Sequence, residues 1–394
     1  MNVFLQRSAQ LKEEMIATRR AIHQNGGVGF ALRENADLIM ACLRGMGIEP
    51  HEICECGITA TIGSGGKTAL LRADYDALPL VEESGLPFAA TNGTCHACGH
   101  DFNAASLLYA ARMLKEREDE LAGAVKLMFQ PAEEIGKGAR AMIDAGLMEN
   151  PRVDVAFGLH MGVGEDDCSL GDVSYSRGPR FAACDKIDIT VKGMGGHGAY
   201  PFHCVDPITV AARILLGLQN IIPMEIDSVQ RAILTIGSFH SGRVHNAIPD
   251  EAVLSGTLRT LDADVRTFMR KRIKEIATGI ARAMRCTAEV SMDSGSMPVG
   301  IMDSALCDAM RPYVEEICSG VTHVSSEVKG MGSEDFAELC SRVPSMSVQV
   351  GAGSPKEGYT ITVHNSKVLF DENCLVQGSA LFANLAFNWL KDNA

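Results

Sequence analysis

The stretch Cys95-His96-Ala97-Cys98-Gly99-His100-Asp101 constrains this chain more than any other, because it puts four thiol or imidazole side chains and one carboxylate into seven residues. It follows a loop containing Pro87 and Gly93 and precedes a helix-like run from Ala104 to Lys115. A loop that opens onto a helix leaves backbone N–H groups free and lets side chains converge on a ligand. Cys98 and His100 are therefore candidate metal ligands, and the rest of the chain has to supply their partners. Two competing readings are a redox pair, Cys95-x-x-Cys98, and a structural zinc knuckle. The first expects a βαβ context, whereas this segment follows a long loop. The second needs two further clustered ligands, and only His96 and His100 are close.

The chain around this stretch is that of a packed protein of two or three domains: 394 residues, 46% of them apolar. A net charge of −13 argues against nucleic acid as a partner and fits a solvated acidic surface. The 13 cysteines are odd in number and scattered, unlike a secreted disulfide framework. Cys42, Cys307, Cys318 and Cys340 read as small core residues, and Cys54/Cys56 as strand packing. Met1 to Ile16 has no signal-peptide pattern and no apolar run reaches membrane-spanning length, so a cytoplasmic location without membrane contact is expected.

Apolar spacing predicts helices over Asn2–Arg20 and Asn35–Met46, then strands over Ile58–Ile62 and Thr68–Asp74 joined as a hairpin through Gly63-Ser64-Gly65-Gly66. Gly66-Lys67-Thr68 only superficially resembles a phosphate loop. The required earlier glycine is Thr61, and a strand rather than a helix follows. Asp74 and Asp76 end the second strand and read as outer partners that orient a metal-binding His. Ala124–Phe129 is a strand closed by Gln130-Pro131-Ala132-Glu133-Glu134, which puts both Glu in a loop at a strand's C-terminal end, where α/β sheets carry their sites. Taken alone, that pair reads as the solvated start of a helix over Gly136–Leu147. Val153–Gly158 is a further strand, ended by Leu159-His160-Met161, which puts His160 at a strand's C-terminal end.

The pattern changes near Arg177-Gly178-Pro179. A strand (Lys186–Val191), helix (Pro207–Leu218), two strands (Ala232–Phe239, Ala252–Arg259), helix (Asp262–Met284) and strand (Thr287–Met292) follow. The order βαββαβ is the ferredoxin-like split arrangement. The long helix is expected to bury Val265, Phe268, Ile273, Ile276 and Ile280. This α+β domain is read as an insertion over 184–296, with Ser294-Gly295-Ser296 as its return linker, inside an α/β domain made of 1–183 and 297–394. In the resumed part, Asp303–Cys318 reads as a helix, Met346–Val350 as a strand and Asn373–Lys391 as a terminal helix. His364 follows the strand-like Thr362-Val363.

One thiol, three imidazoles and one or two carboxylates can thus be collected from separate strand ends: Cys98, His100, Glu134, His160 and His364, with Glu133 to spare. That donor set suits Zn²⁺, Mn²⁺, Co²⁺ or Ni²⁺ better than Ca²⁺ or Mg²⁺. Five ligands exceed one tetrahedral site, so two divalent ions about 3.5–4 Å apart with one shared ligand are expected. Glu133 can take a proton from water and return it to a leaving amine. The reaction class this donor set implies is amide or peptide hydrolysis.

At this point the chain resembles the M20 family of dinuclear metallopeptidases and aminoacylases, in its amidohydrolase branch of hippurate hydrolases, auxin-conjugate hydrolases and N-acetyl-amino-acid deacetylases. The resemblance is carried by Leu71-Arg72-Ala73-Asp74 with Asp76-Ala77-Leu78-Pro79, His96-Ala97-Cys98-Gly99-His100-Asp101, Phe129-Gln130-Pro131-Ala132-Glu133-Glu134 and Gly158-Leu159-His160. It continues through Gly195-Gly196-His197-Gly198-Ala199, Asn246-Ala247-Ile248-Pro249-Asp250, Gly256-Thr257-Leu258-Arg259-Thr260 and Gly332-Ser333-Glu334-Asp335-Phe336, in family order over nearly the whole chain. It implies a phosphorylase/hydrolase-like mixed-sheet catalytic domain with an inserted ferredoxin-like lid and dimerisation domain. It also implies Cys98 as bridging ligand, His100, Glu134, His160 and His364 as the other ligands, Glu133 as general base, and Asp74, Asp76 and Asp101 as supporting carboxylates. His197 and Asn246 would contact a small N-acyl amino acid, in a homodimer holding two Zn²⁺ or Mn²⁺ per subunit. A small-dipeptide carboxypeptidase of the same family, or a metal-binding protein without turnover, are the alternatives. Departures from the family pattern fall at His23-Gln24-Asn25-Gly26-Gly27, Phe202-His203 and His245, towards the expected substrate region. Arg243 and Lys329 are candidates for the substrate carboxylate.

Overall fold

The computed structural model describes residues 2–292, 296–326 and 330–394. Ser294 and Gly295 of the expected linker, and Lys329, lie outside them. The chain divides into two compact units: Met1–Gly178 with Ile301–Glu327 and Glu338–Ala394, and Pro179–Gly300 with Val328–Ala337.

The first unit is built on an eight-stranded mixed sheet. Its strands are β1 (His51–Cys54), β2 (Gly57–Gly63), β3 (Lys67–Asp74), β4 (Gly123–Gln130), β5 (Val155–Gly162), β6 (Val173–Ser176), β7 (Thr322–Ser325) and β8 (Ser345–Gly351). Their spatial order is β1-β2-β4-β3-β5-β8-β6-β7. β3, β4, β5 and β8 run parallel, so the C-terminal ends of β3, β4 and β5 lie side by side. The expected β2/β3 hairpin does not form, because β4 lies between them, antiparallel to β2 and parallel to β3. β3 is buried over seven of its eight residues, and such an apolar run needs a covered neighbour on each side rather than a sheet edge.

Helices pack on this sheet: α1 (Val3–Gln10), α2 (Lys12–Gln24), α3 (Arg33–Gly45), α4 (His100–Lys115), α5 (Gly138–Asp144), α6 (Ser304–Glu315) and α7 (Cys374–Asp392). The single helix expected over Asn2–Arg20 is two, meeting at the buried Leu11. α4 is buried nearly all round, packed against α7, α2 and β3. α7 lies so close to it that a Cβ on Gly378 would sit 2.8 Å from Ser106 Oγ and Met161 Cε. The core under the sheet therefore fixes the start of α4, where His100 lies.

The second unit has four antiparallel strands in the order 232–241, 251–260, 183–192, 287–291. With helices Pro207–Leu218 and Ala263–Ala283 this is the ferredoxin-like arrangement. Asp206 and Asp262 cap these helices with their carboxylates, which is why both begin where the sequence indicates. The long helix buries Met269, Ile273, Ala277 and Ala281, with Val265, Ile276 and Ile280 at the margin. Phe268 falls off this stripe and is 37% exposed, against the expectation that it packs inward.

Leu108 is wholly buried in α4. Leu108→Ala should cost about 2–5 kcal/mol in urea unfolding followed by circular dichroism. A cost below about 1 kcal/mol would mean that α4 is not the packed element described here.

Candidate metal centre

Three parallel strands deliver the centre. β3 ends at Asp74, which pairs in register with Gln130 at the end of β4. Beyond β4, Ala132 takes a left-handed conformation (φ 57°) that turns Glu133 and Glu134 back over the sheet. His160 lies near the C-terminal end of β5, which runs on to Gly162, as the strand-end reading expects. Gly99 (φ 85°) precedes α4, and a Cβ there would press on Phe370 at 3.0 Å. His364 itself has φ 63° in a loop, not a strand end, and its N–H donates to Ala97 O at 2.8 Å. Left-handed backbone at Ala132 and His364 is uncommon for non-glycine residues and concentrates at functional sites.

These turns bring the side chains together. Ligand atoms of Cys98, His100 and His160 lie within 4.8 Å of one another, and so do those of Cys98, Glu134 and His364. Cys98 belongs to both groups. Its Sγ is 3.5 Å from His160 Nε2, and Glu134 Oε1 is 3.4 Å from His364 Nε2 and 4.0 Å from His100 Nε2. Asp74, His100 and Glu133 form a third such group, which sets Glu133 beside the ligands.

The ring nitrogens that face away from the centre are occupied. His100 Nδ1 is 3.0 Å from Asp76 O, and His160 Nδ1 is 2.8 Å from Met161 O. Both rings therefore present Nε2 inward, as a metal-binding His requires. Asp76 also accepts the N–H groups of Glu133 and Glu134 at 3.2 Å each, fixing the two-Glu loop. Asp74 pairs with Arg72 at 2.7 Å and accepts from Asn103 Nδ2 at 2.7 Å. Asn103 had no assigned role from sequence, although it stands three residues after His100 on the same helix face. Asp101, expected near the ligands, turns the other way, to Arg19 at 2.7 Å and His23 at 2.8 Å.

The donor set fits divalent metal. His100 Nε2 and Glu134 Oε1 are buried without a hydrogen-bond partner, and both point into the cluster. Burial favours the neutral Cys98 thiol, but His100 and His160 outweigh it and hold the thiol well below its usual range. Burial lowers and Cys98 raises His160, which ends at about 9. Burial lifts the Glu134 carboxyl to about 7. Thiolate, imidazole and carboxylate together suit borderline transition ions.

His197 and Asn246 lie in the second unit on a short antiparallel ribbon, where Gly198 N–H donates to Asn246 O at 2.9 Å and His197 pairs with Ala247. Both are exposed, and His197 Nδ1 accepts from Ala199 N–H at 3.1 Å. Arg243 is also exposed there.

Comparison with known proteins bears on this geometry. The chain is 34% identical to N-acetyl-L-cysteine deacetylase of Bacillus subtilis (strain 168), over 97% of this chain and 90% of that one. It is 33% identical to IAA-amino acid hydrolase ILR1-like 4 of Arabidopsis thaliana, over 95% and 86% respectively. The crystal structure of Bacillus subtilis YXEP protein, a dinuclear metal-binding peptidase from the M20 family, matches with a TM-score of 0.81 and 31% identity, covering 97% of this chain and 99% of that one. Residues 70–388 match the model of peptidase family M20/M25/M40, and the chain belongs to that family.

Proposed function

We propose that this protein hydrolyses the amide bond of small N-acyl amino acids, releasing a carboxylic acid and a free amino acid, at a centre of two divalent metal ions. The observation that carries this reading is Cys98 shared between two ligand groups, with Glu133 alongside. One group would hold an ion through Cys98, His100 and His160, the other through Cys98, Glu134 and His364. Such ions polarise a carbonyl and bring a water's pKa from about 15.7 to about 7. Glu133 takes the proton from the attacking water. As the C–N bond breaks, Glu133 passes that proton to the amine nitrogen. Asp76 holds Glu133 and Glu134 in place through their backbone N–H groups, and Asp74, with Arg72 and Asn103, walls the base off from the core.

The N-acyl class is supported by the deacetylase and IAA-amino acid hydrolase relatives. The ions in this reading are Zn²⁺ or Mn²⁺, with Co²⁺ or Ni²⁺ also compatible. Residues 184–296 act as a lid and dimerisation domain between catalytic segments 1–183 and 297–394, with His197 and Asn246 contacting substrate. Ile233 and Phe239 are 43% and 38% exposed on the edge strand 232–241, and an exposed apolar edge supports pairing between two copies. No helix among the described residues is long and apolar enough to cross a membrane, and a cytoplasmic location is part of the same proposal.

Glu133→Gln should lower kcat on N-acyl amino acids by about 10²–10⁴-fold while leaving metal content unchanged. A loss under about tenfold, with metal retained, contradicts the assignment. Chelation should abolish hydrolysis and restored metal should return it, with N-acyl amino acids turned over faster than dipeptides. In chelator-treated protein at pH 7, Cys98 should alkylate with iodoacetamide ahead of Cys95 and Cys168, whose thiols burial pushes up to about 12 and about 11. Added metal should protect it. Peptide mass mapping reads the outcome, and equal labelling of all three thiols would contradict the charge environment described.

A further inference from the structure

Behind the ligands lies a buried polar cluster that the hydrolytic reading leaves without a role. His23, on α2, is 4% exposed. Its Nδ1 is 2.8 Å from Asp101 Oδ2, and its Nε2 is 3.1 Å from both oxygens of Glu82. Ionised carboxylates only accept hydrogen bonds, so both ring nitrogens carry protons and the ring is a cation. Asp101 also pairs with the Arg19 guanidinium at 2.7 Å, which favours its ionised form, and His23 leads the groups that, against burial, bring Glu82 to about 2.

The other groups around His23 do not reverse this. Arg19, on the same helix, has a guanidinium nitrogen 3.1 Å from Nδ1 and opposes the charge, but its Nε shares Asp101 at 2.7 Å and another nitrogen reaches Glu372 at 3.3 Å. Arg20 pairs with Glu372 at 2.6 Å. His96, with its ring centroid 5.7 Å away, adds no charge, because burial brings it to about 3. Phe88 closes the cluster edge-on at 5.6 Å. Burial lowers His23, Asp101 and Glu82 raise it, and the balance lies above its usual value.

Both partners lead to the metal centre. Asp101 follows His100 in the first turn of α4. Glu82 gathers the long loop between β3 and α4, also accepting from Ala90 N–H at 2.7 Å and from the Ser84 hydroxyl. The next residue, Glu83, donates its N–H to Ser366 O at 2.8 Å and accepts from Ser366 Oγ at 3.1 Å. Ser366 stands two residues after His364.

We infer that His23 is a positioning residue for the metal centre: as an imidazolium bridging Glu82 and Asp101, it ties the loop that registers His364 to the helix start that carries His100. This use of the clamp rests on the two-metal reading above, but the clamp itself does not. A His whose folded pKa is raised contributes its full stabilisation below about 6.5 and loses it as pH rises through the folded value. The clamp therefore slackens on the alkaline side.

The test compares wild type with His23→Gln and the milder Glu82→Gln. In metal-free protein, amide hydrogen exchange at Glu83 and His364 should rise about tenfold in both variants, while Val348 in β8 is unchanged. Unchanged rates at Glu83 and His364, or an equal rise at Val348, overturn the proposal. Zn²⁺ affinity, read by chelator competition, should weaken about tenfold at pH 6.5, and the difference from wild type should shrink as pH rises. Affinity within twofold of wild type, or a difference independent of pH, also overturns it. Neither readout uses amide hydrolysis. A protein that binds Zn²⁺ but cleaves no N-acyl amino acid would sink the proposed function and leave the clamp standing. A wild type that binds no Zn²⁺ would sink the two-metal reading, and the exchange rates would still decide the clamp.

Discussion

The Cys98 thiolate shares its cluster with four titratable groups, His100, His160, Glu134 and His364. Its charge is stabilised by His100 and His160, and it stands in the ligand groups of both halves of the centre. Charges this close in a medium of low polarity interact far more strongly than on a surface, so each has to be balanced by another or by a cation. Much of the surrounding architecture serves that balance. Parallel strands bring Asp74 and the two-Glu loop to one edge, Asp76 grips that loop by its amides, and α4 is packed on every side so that His100 cannot drift.

The same physics explains why each outer carboxylate carries partners of its own. Asp74 is neutralised by Arg72 and held by Asn103, and Asp101 by Arg19 and His23. None of these pairs is exposed, and a buried carboxylate without its partner would protonate and cease to orient anything. The layering runs from ligands through hydrogen-bonded carboxylates to buried cations, and the first turn of α4 joins all three.

Much of this was legible in the sequence because it is written in local patterns. The ligand types, the strand-to-loop transitions at Asp74 and Glu133, and the βαββαβ order depend on neighbours within a few residues. What was not legible depends on partners far along the chain. The β2/β3 hairpin reading failed because β4, some fifty residues later, takes the place between those strands. Phe268 was placed inward because helical spacing defines a stripe but not which of two adjoining rows the sheet covers. His23 reads from sequence only as the start of a segment that departs from the family pattern, beyond the helix expected to end at Arg20. Only Glu82 and Asp101, arriving from other elements, make it a buried cation. Left-handed backbone at Ala132 and His364 carries no residue-type signal at all.

The central claim is that one sulfur is shared by two metal ions. X-ray absorption at the metal edge of the Zn²⁺-loaded protein tests it most directly. The account predicts a sulfur scatterer at about 2.3 Å and a metal–metal vector at about 3.5–4 Å, with the sulfur signal lost in Cys98→Ser. A spectrum of nitrogen and oxygen alone, or one with no metal–metal vector at full loading, would contradict it.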